Sequence, residues 1–228
     1  MDPILQTRFN ADKELEGVIM GAYGDISDNI TNLKMVTGSL RNYIREEEPG
    51  EMVNVEIADL IRRVVVLLKV RNKTMKAMNV SISGRSEIKG NPGALQAVFY
   101  NLLNNSYDAI IERENLKQDK ALTEGAEYAG EVEIKIEETN EATEIRVRDN
   151  GIGMVEDVQS RIFTPLFTTK SHEVTKDSRL RGGTGIGMET IRKMIKSHRG
   201  KIKIIWSERG KGTEFLMIFP KIEGENND

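Results

Sequence analysis

The sequence predicts an α+β two-layer sandwich, a mixed and mostly antiparallel sheet with its helices on one face. Three observations predict it. Residues 131–139 and 143–149 alternate apolar and polar side chains around Asn140-Glu141, the pattern of a half-buried hairpin. Residues 201–207 and 212–220 form a second pair of strands around Glu208-Arg-Gly-Lys-Gly212. Residues 59–78, 92–114 and 188–198 instead space their apolar side chains as helices do. A sheet with one apolar face and helices with one apolar stripe bury those surfaces against each other, which gives two layers.

The first 48 residues read differently. Leu15, Ala22, Asn29, Val36 and Tyr43 fall seven apart, and Ile19, Ile26, Leu33 and Leu40 fill the positions four after each of the first four. That heptad seam predicts a long helix over 12–47 that dimerises as a coiled coil, with Asn29 able to set register. A single helix packing its stripe on its own domain is the alternative. Gly17, Gly21 and Gly24 weaken the first half, and Glu46-Glu-Glu-Pro-Gly50 ends the helix. The organisation predicted is thus a dimerisation-type helix at 1–48, a main domain at 52–221 and an acidic, disordered tail at 222–228.

Within the main domain, 52–56 reads as a short strand, and Asp59 caps or opens the first helix. A strand follows at 80–83, then a turn at Lys89-Gly-Asn-Pro-Gly93, with Pro92 well placed as the first residue of the next helix. Residues 115–130 read as a polar loop. Residues 155–182 read as a lid, polar and basic around Phe163-Thr-Pro-Leu-Phe167. Gly200 closes the helix at 188–198.

Composition narrows the function classes. The 228 residues are 38% hydrophobic and 30% charged, with net charge −3, which gives no electrostatic case for a nucleic-acid partner. There is no cysteine, hence no disulfide framework and no thiolate metal site. No apolar run approaches the ~20 residues that span a bilayer, and no signal-peptide pattern is present, so a cytoplasmic location is expected.

Four stretches carry the chemistry. In Asn101-Leu-Leu-Asn-Asn-Ser-Tyr-Asp108, Asn101 and Asn105 stand four apart and so share one helix face. A carboxamide oxygen is a hard neutral ligand, suited to one corner of a hydrated magnesium ion. Asp149-Asn-Gly-Ile-Gly-Met154 is a tight glycine turn opened by a carboxylate. Phe163-Thr-Pro-Leu-Phe-Thr-Thr-Lys170 is the lid segment. Gly182-Gly-Thr-Gly-Ile-Gly-Met188 is a glycine loop entering a helix, where bare amides face phosphates. Each has an ordinary alternative: solvated asparagines, a hairpin turn Asp, core phenylalanines, a helix start.

Together, in this order, the four stretches resemble the ATP-binding domain of sensor histidine kinases, a branch of the superfamily shared with gyrase, mismatch-repair and heat-shock chaperone ATPases. The resemblance covers roughly 52–221, and the Phe-x-x-Leu-Phe-Thr-Thr-Lys form is most like the nitrogen-regulation and C4-dicarboxylate sensors. It implies ATP and Mg2+ as ligands. Asn105 would bind the magnesium, with Asp108 beside it in the nucleotide site. Asp149 would accept from the adenine amino group, with Gly151 and Gly153 letting the backbone approach the base and Thr213 flanking it. Lys170 would neutralise phosphate charge, with Arg179 and Arg181 as further candidates. Gly183, Thr184, Gly185 and Gly187 would cradle the phosphates. ATP-hydrolysing relatives carry Glu at the place of Asn101. A carboxamide cannot take a proton from water, so Asn101 favours holding ATP for transfer over hydrolysing it.

The resemblance fails at the phospho-acceptor. A histidine kinase needs an acceptor histidine, usually on a dimerising helix and followed by an acidic residue. His172 falls in the lid and His198 at a helix end, so neither fits. In one alignment Gly24 replaces that histidine. In the preferred one, Ile30–Arg45 overlays the second helix of the dimerisation hairpin. The expected activity is therefore that of a catalytic half. It would transfer the γ-phosphoryl group to a histidine on a missing segment or another chain, for relay to the aspartate of a response-regulator receiver domain. The alternatives are a nucleotide-binding regulator without transfer and a serine/threonine protein kinase of the same superfamily.

Overall fold

The first described helix takes its start from Glu56. In the computed structural model, which describes residues 51–71, 78–118, 128–169 and 187–221, strand β1 (Val53–Glu56) runs directly into helix α1 (Ile57–Arg71). The Glu56 carboxylate accepts from the amides of Ala58, at 3.2 Å, and Asp59. Asp59, expected to cap or open the helix, opens it: it sits in the first turn and pairs with Arg62 at 2.6 Å. A negative charge is favourable at either place; the chain's path out of β1 decides which carboxylate reaches the free amides.

Strand β2 (Asn79–Ser83) is followed by β3 (Glu87–Gly90), which pairs antiparallel with β1 where a turn alone was expected. Its one large apolar residue, Ile88, is buried, and a single apolar side chain gives no alternation to read. Helix α2 (Pro92–Gln118) begins with proline as expected, and the Asn91 side-chain oxygen accepts from the Ala94 amide at 2.8 Å. Leu95, Val98, Phe99, Leu102, Leu103, Ser106, Ile110 and Ile111 form its buried stripe.

The sheet has the order β2-β4-β5-β7-β6, with β4 at Glu131–Glu138, β5 at Ala142–Asp149, β6 at Lys201–Glu208 and β7 at Gly212–Pro220. The β2–β4 pair is parallel and the rest are antiparallel. One face carries the core: Val132, Ile134, Ile136, Ile145, Val147, Phe215, Met217 and Phe219 are buried. On the other, charges oppose each other across strands, Glu133 beside Arg148 and Arg148 beside Glu214. Helix α2 packs against both α1 and helix α4 (Gly187–Ser197), which buries Met188, Ile191, Met194 and Ile195. The architecture is the expected α+β sandwich. A short helix α3 (Glu156–Arg161) lies within the stretch read as an irregular lid; it buries no residue, so it left no apolar stripe in the sequence.

The end of α4 is tied to the start of α2 through His198, which is 4% exposed. Its Nδ1 lies 2.6 Å from the Met194 carbonyl oxygen, and its Nε2 accepts from the Asn91 amide at 3.0 Å. A carbonyl can only accept, so the ring is the Nδ1–H tautomer. Arg199, not a glycine, takes the left-handed conformation after the helix (φ 57°). Gly200 follows it because a Cβ there would meet Ile195 and the Ile218 carbonyl at 2.9 Å. His198→Ala removes both ring bonds and leaves a buried amide unpaired. It is expected to cost roughly 2–4 kcal/mol of unfolding free energy in denaturant titration. A loss within 0.5 kcal/mol, the ordinary scatter of surface changes, would show that the ring contributes nothing.

The chain falls into two units, Met1–Pro49 and Gly50–Asp228. The predicted dimerisation helix and acidic tail lie outside the described residues. No described helix is long and apolar enough to cross a membrane.

Candidate functional site

Asp149 is the last residue of the central strand β5 and is 4% exposed. Three donors meet its carboxylate: the Gly151 amide at 2.9 Å, the Ser106 hydroxyl from α2, and the Thr213 amide from β7. Burial pushes its pKa up to about 6, against those three bonds, which favour the ionised form. Among the described residues, no charged side chain contributes to the shift. A carboxylate so placed, buried and without a cation among the described residues, suits a neutral donor on a ligand.

The glycine turn after it is locked on both sides by protein. A Cβ on Gly151 would lie 2.7 Å from Ala109, and the next amide, of Ile152, donates to the Ala109 carbonyl at 2.9 Å. Gly153 has φ 66°, and a Cβ there would lie 2.0 Å from the Glu208 carbonyl oxygen. These glycines therefore let the turn approach α2 and β6. Ser207 braces it further: its hydroxyl accepts from the Met154 amide at 2.9 Å and lies 2.9 Å from the Thr213 hydroxyl. Gln159 of α3 donates to the Met154 and Ser207 carbonyls at 2.9 and 3.2 Å.

The asparagine face of α2 borders this turn. Asn101 donates from Nδ2 to the Ala97 carbonyl one turn back, at 2.9 Å. Asn105 donates from Nδ2 to the Met188 sulfur at 3.3 Å, which brings the start of α4 against the asparagine helix. Both contacts use the amide hydrogens, and among the described residues no hydrogen bond engages either Oδ1, the atom that can ligate a cation. Asp108 is buried one turn beyond Asn104, whose Nδ2 lies 3.4 Å from its carboxylate. No cluster of three or more His, Cys, Asp or Glu among the described residues could hold a metal alone. A magnesium ion would need Asn oxygens completed by ligand phosphates and water, which fits the donor set.

The structure thus brings Asp149, Gly151 and Thr213 together beside Ser106 and Ala109 of α2, sets Gly153 against Glu208, and puts Asn105 against Met188, which follows Gly187, the first residue of α4; Asn101 and Asp108 have their side-chain contacts to Ala97 and Asn104 within α2. Lys170, Gly183, Thr184, Gly185, His172, Arg179 and Arg181 lie outside the described residues. Phe163 and Phe167 are half-buried, and each carries a guanidinium over its ring, Arg192 at 6.0 Å and Arg161 at 4.5 Å. Ser106, Ser207 and Gln159 escaped the sequence reading. Ser106 adjoins Asn105 in the motif, and Ser207 faces Thr213 across the hairpin, a pairing that the strand register would have given.

Comparison with known proteins gives the family. Residues 90–223 match the family described as histidine kinase-, DNA gyrase B-, and HSP90-like ATPase. Sporulation kinase E of Bacillus subtilis is 28% identical over 211 residues, 90% of this chain and 25% of its own length. The probable C4-dicarboxylate sensor kinase of Halalkalibacterium halodurans is 35% identical over 130 residues, 57% of this chain and 20% of its own length. The chain spans about a quarter of the length of such curated relatives. The catalytic domain of histidine kinase ThkA superposes with a TM-score of 0.54 at 26% identity, over 75% of this chain and 96% of that one. The chain belongs to the histidine kinase-, DNA gyrase B-, and HSP90-like ATPase family, and its folded domain is similar to the catalytic ATP-binding domains of histidine kinases.

Proposed function

We propose that this domain binds ATP with magnesium and transfers the γ-phosphoryl group to a histidine carried by another segment or chain. The observation that carries the reading is the buried Asp149 carboxylate beside the asparagine face of α2. Asp149 accepts from the exocyclic amino group of adenine, with Thr213 at its flank. Asn105 would hold a magnesium ion through its side-chain oxygen, with Asn101 one turn before it on the same face, and Gly187 opens the helix that follows the glycine loop. The metal neutralises charge on the transferring group. Lys170, Gly183, Thr184 and Gly185 complete the phosphate side. The lone pair of the acceptor imidazole nitrogen forms the N–P bond as the bond from the γ-phosphorus to the bridging oxygen breaks. ADP leaves and the ring's surplus proton passes to water. Positioning and charge stabilisation suffice on the ATP side, which matches a site without a general base at Asn101. The phosphoryl group then passes to a receiver aspartate, and the chain pairs with a second copy through its N-terminal helix.

A regulator that binds nucleotide without transfer is the second reading. Both ring nitrogens of His198 are engaged in the fold, so it is no acceptor under either reading. The test uses ATP labelled at the γ-phosphate, with magnesium, on this chain alone and with a histidine-bearing dimerisation domain of a related kinase. Acid-labile label on the added domain is expected, abolished by EDTA. Nucleotide binding without transfer would favour the regulator, and acid-stable label on this chain a hydroxyl-directed kinase.

A further inference from the structure

Asn150, next to Asp149, is held more firmly than a two-residue turn requires. Its amide donates to the Glu131 carbonyl at 3.1 Å, its Nδ2 to the Ala129 carbonyl at 2.8 Å, and its Oδ1 accepts from the Glu131 amide at 2.9 Å. Its carbonyl oxygen takes two further donors from outside the sheet. One is Arg113 Nη1 of α2; the other is the Tyr128 hydroxyl, at 3.1 Å. That hydroxyl also lies 3.2 Å from Asn150 Oδ1, and the Arg113 guanidinium stacks over the Tyr128 ring at 4.6 Å. Burial raises the Tyr128 pKa, so the phenol remains a donor. The strand pairing of β4 with β5 stands without Arg113 or Tyr128. What these two side chains add is a tie from α2 to the peptide that follows Asp149.

That tie has a consequence for ligand binding. Arg113 lies eight residues beyond Asn105 on the same helix, about two turns. A charge-assisted bond to the carbonyl after Asp149 therefore fixes the base end of the site relative to the helix that bears the asparagine face. We propose that Arg113, locked by Tyr128, is a positioning residue for base recognition: it pins the Asn150 carbonyl so that the Asp149 carboxylate meets the purine amino group at bonding distance. The proposal rests on Asp149 being the adenine contact.

The experiment is calorimetric titration of the full chain, Arg113→Met and Tyr128→Phe with ADP and with inosine diphosphate, which has an oxo group in place of the amino group. Wild type is expected to prefer ADP. Arg113→Met is expected to weaken ADP about tenfold, the worth of one misplaced hydrogen bond, and to leave inosine diphosphate within about twofold. Tyr128→Phe keeps the ring and falls between. A merely structural role lowers the melting temperature but leaves the ADP preference unchanged, and that result in both variants overturns the proposal. Should Arg113→Met not fold, Tyr128→Phe decides alone. A wild type with no preference for ADP would instead overturn the adenine reading, and this proposal with it.

Discussion

Asp149→Ala is expected to weaken ADP binding about 100-fold, the loss of a buried charge-assisted hydrogen bond with its donor left unpaired. Calorimetry checks it, and an affinity within threefold of wild type would remove Asp149 from the base contact. The same carboxylate gives binding a pH dependence. Its pKa in the folded domain is about 6, above the ordinary 3.8, because burial disfavours the charge. The adenine amino group donates, so it needs the ionised acceptor. Affinity should hold above pH 6 and fall below it, with Asp149→Asn flattening the profile. For the unliganded domain the sign is opposite. A raised carboxyl pKa means that the fold favours the protonated form. This contribution to stability is complete below the unfolded value near 3.8 and disappears as pH rises through about 6. The span corresponds to roughly 3 kcal/mol. Ligand affinity and unliganded stability should therefore move in opposite directions between pH 4 and pH 7. Parallel movement would contradict a buried, ligand-directed carboxylate.

Asn105→Ala is expected to reduce phosphotransfer about 1000-fold, through loss of metal-borne stabilisation worth several kcal/mol. A lost metal ligand leaves a signature that a lost fold does not. In wild type, EDTA should weaken ATP binding markedly; in Asn105→Ala it should change little, while affinity for adenosine, which has no phosphates, stays at the wild-type level. Among the described residues the side chain makes one weak hydrogen bond, to the Met188 sulfur, so melting should shift little. An EDTA effect as large in the variant as in wild type would place the metal elsewhere.

Much of this site was legible because its chemistry is local. Asn101 and Asn105 share a face by helical periodicity alone, and Asp149 closes a strand that alternation marks. Pro92, the two hairpins and the stripe of α4 followed from the same periods. What escaped depends on neighbours distant in sequence. β3 exists because β1 lies beside it, and its one buried isoleucine gives no pattern. Glu56 rather than Asp59 caps α1 because of how β1 enters it. Gly151 and Gly153 read as room for a ligand; their missing side chains make room for Ala109 and Glu208 as well. His198 read as structural, but its role as the bridge to Asn91 needed coordinates.

The sequence by itself determined the two-layer class, the helix and strand periods and the residue types of the site. Those properties follow from spacing along one chain and from the chemistry of single side chains. Tertiary structure alone decided that Asp149 is buried, that Ser106, Thr213 and Gly151 converge on it, and that Arg113 and Tyr128 grip the peptide beside it. Desolvation and hydrogen bonding depend on what surrounds a group, and those surroundings are assembled from α2, β4, β5 and β7 only when the chain folds.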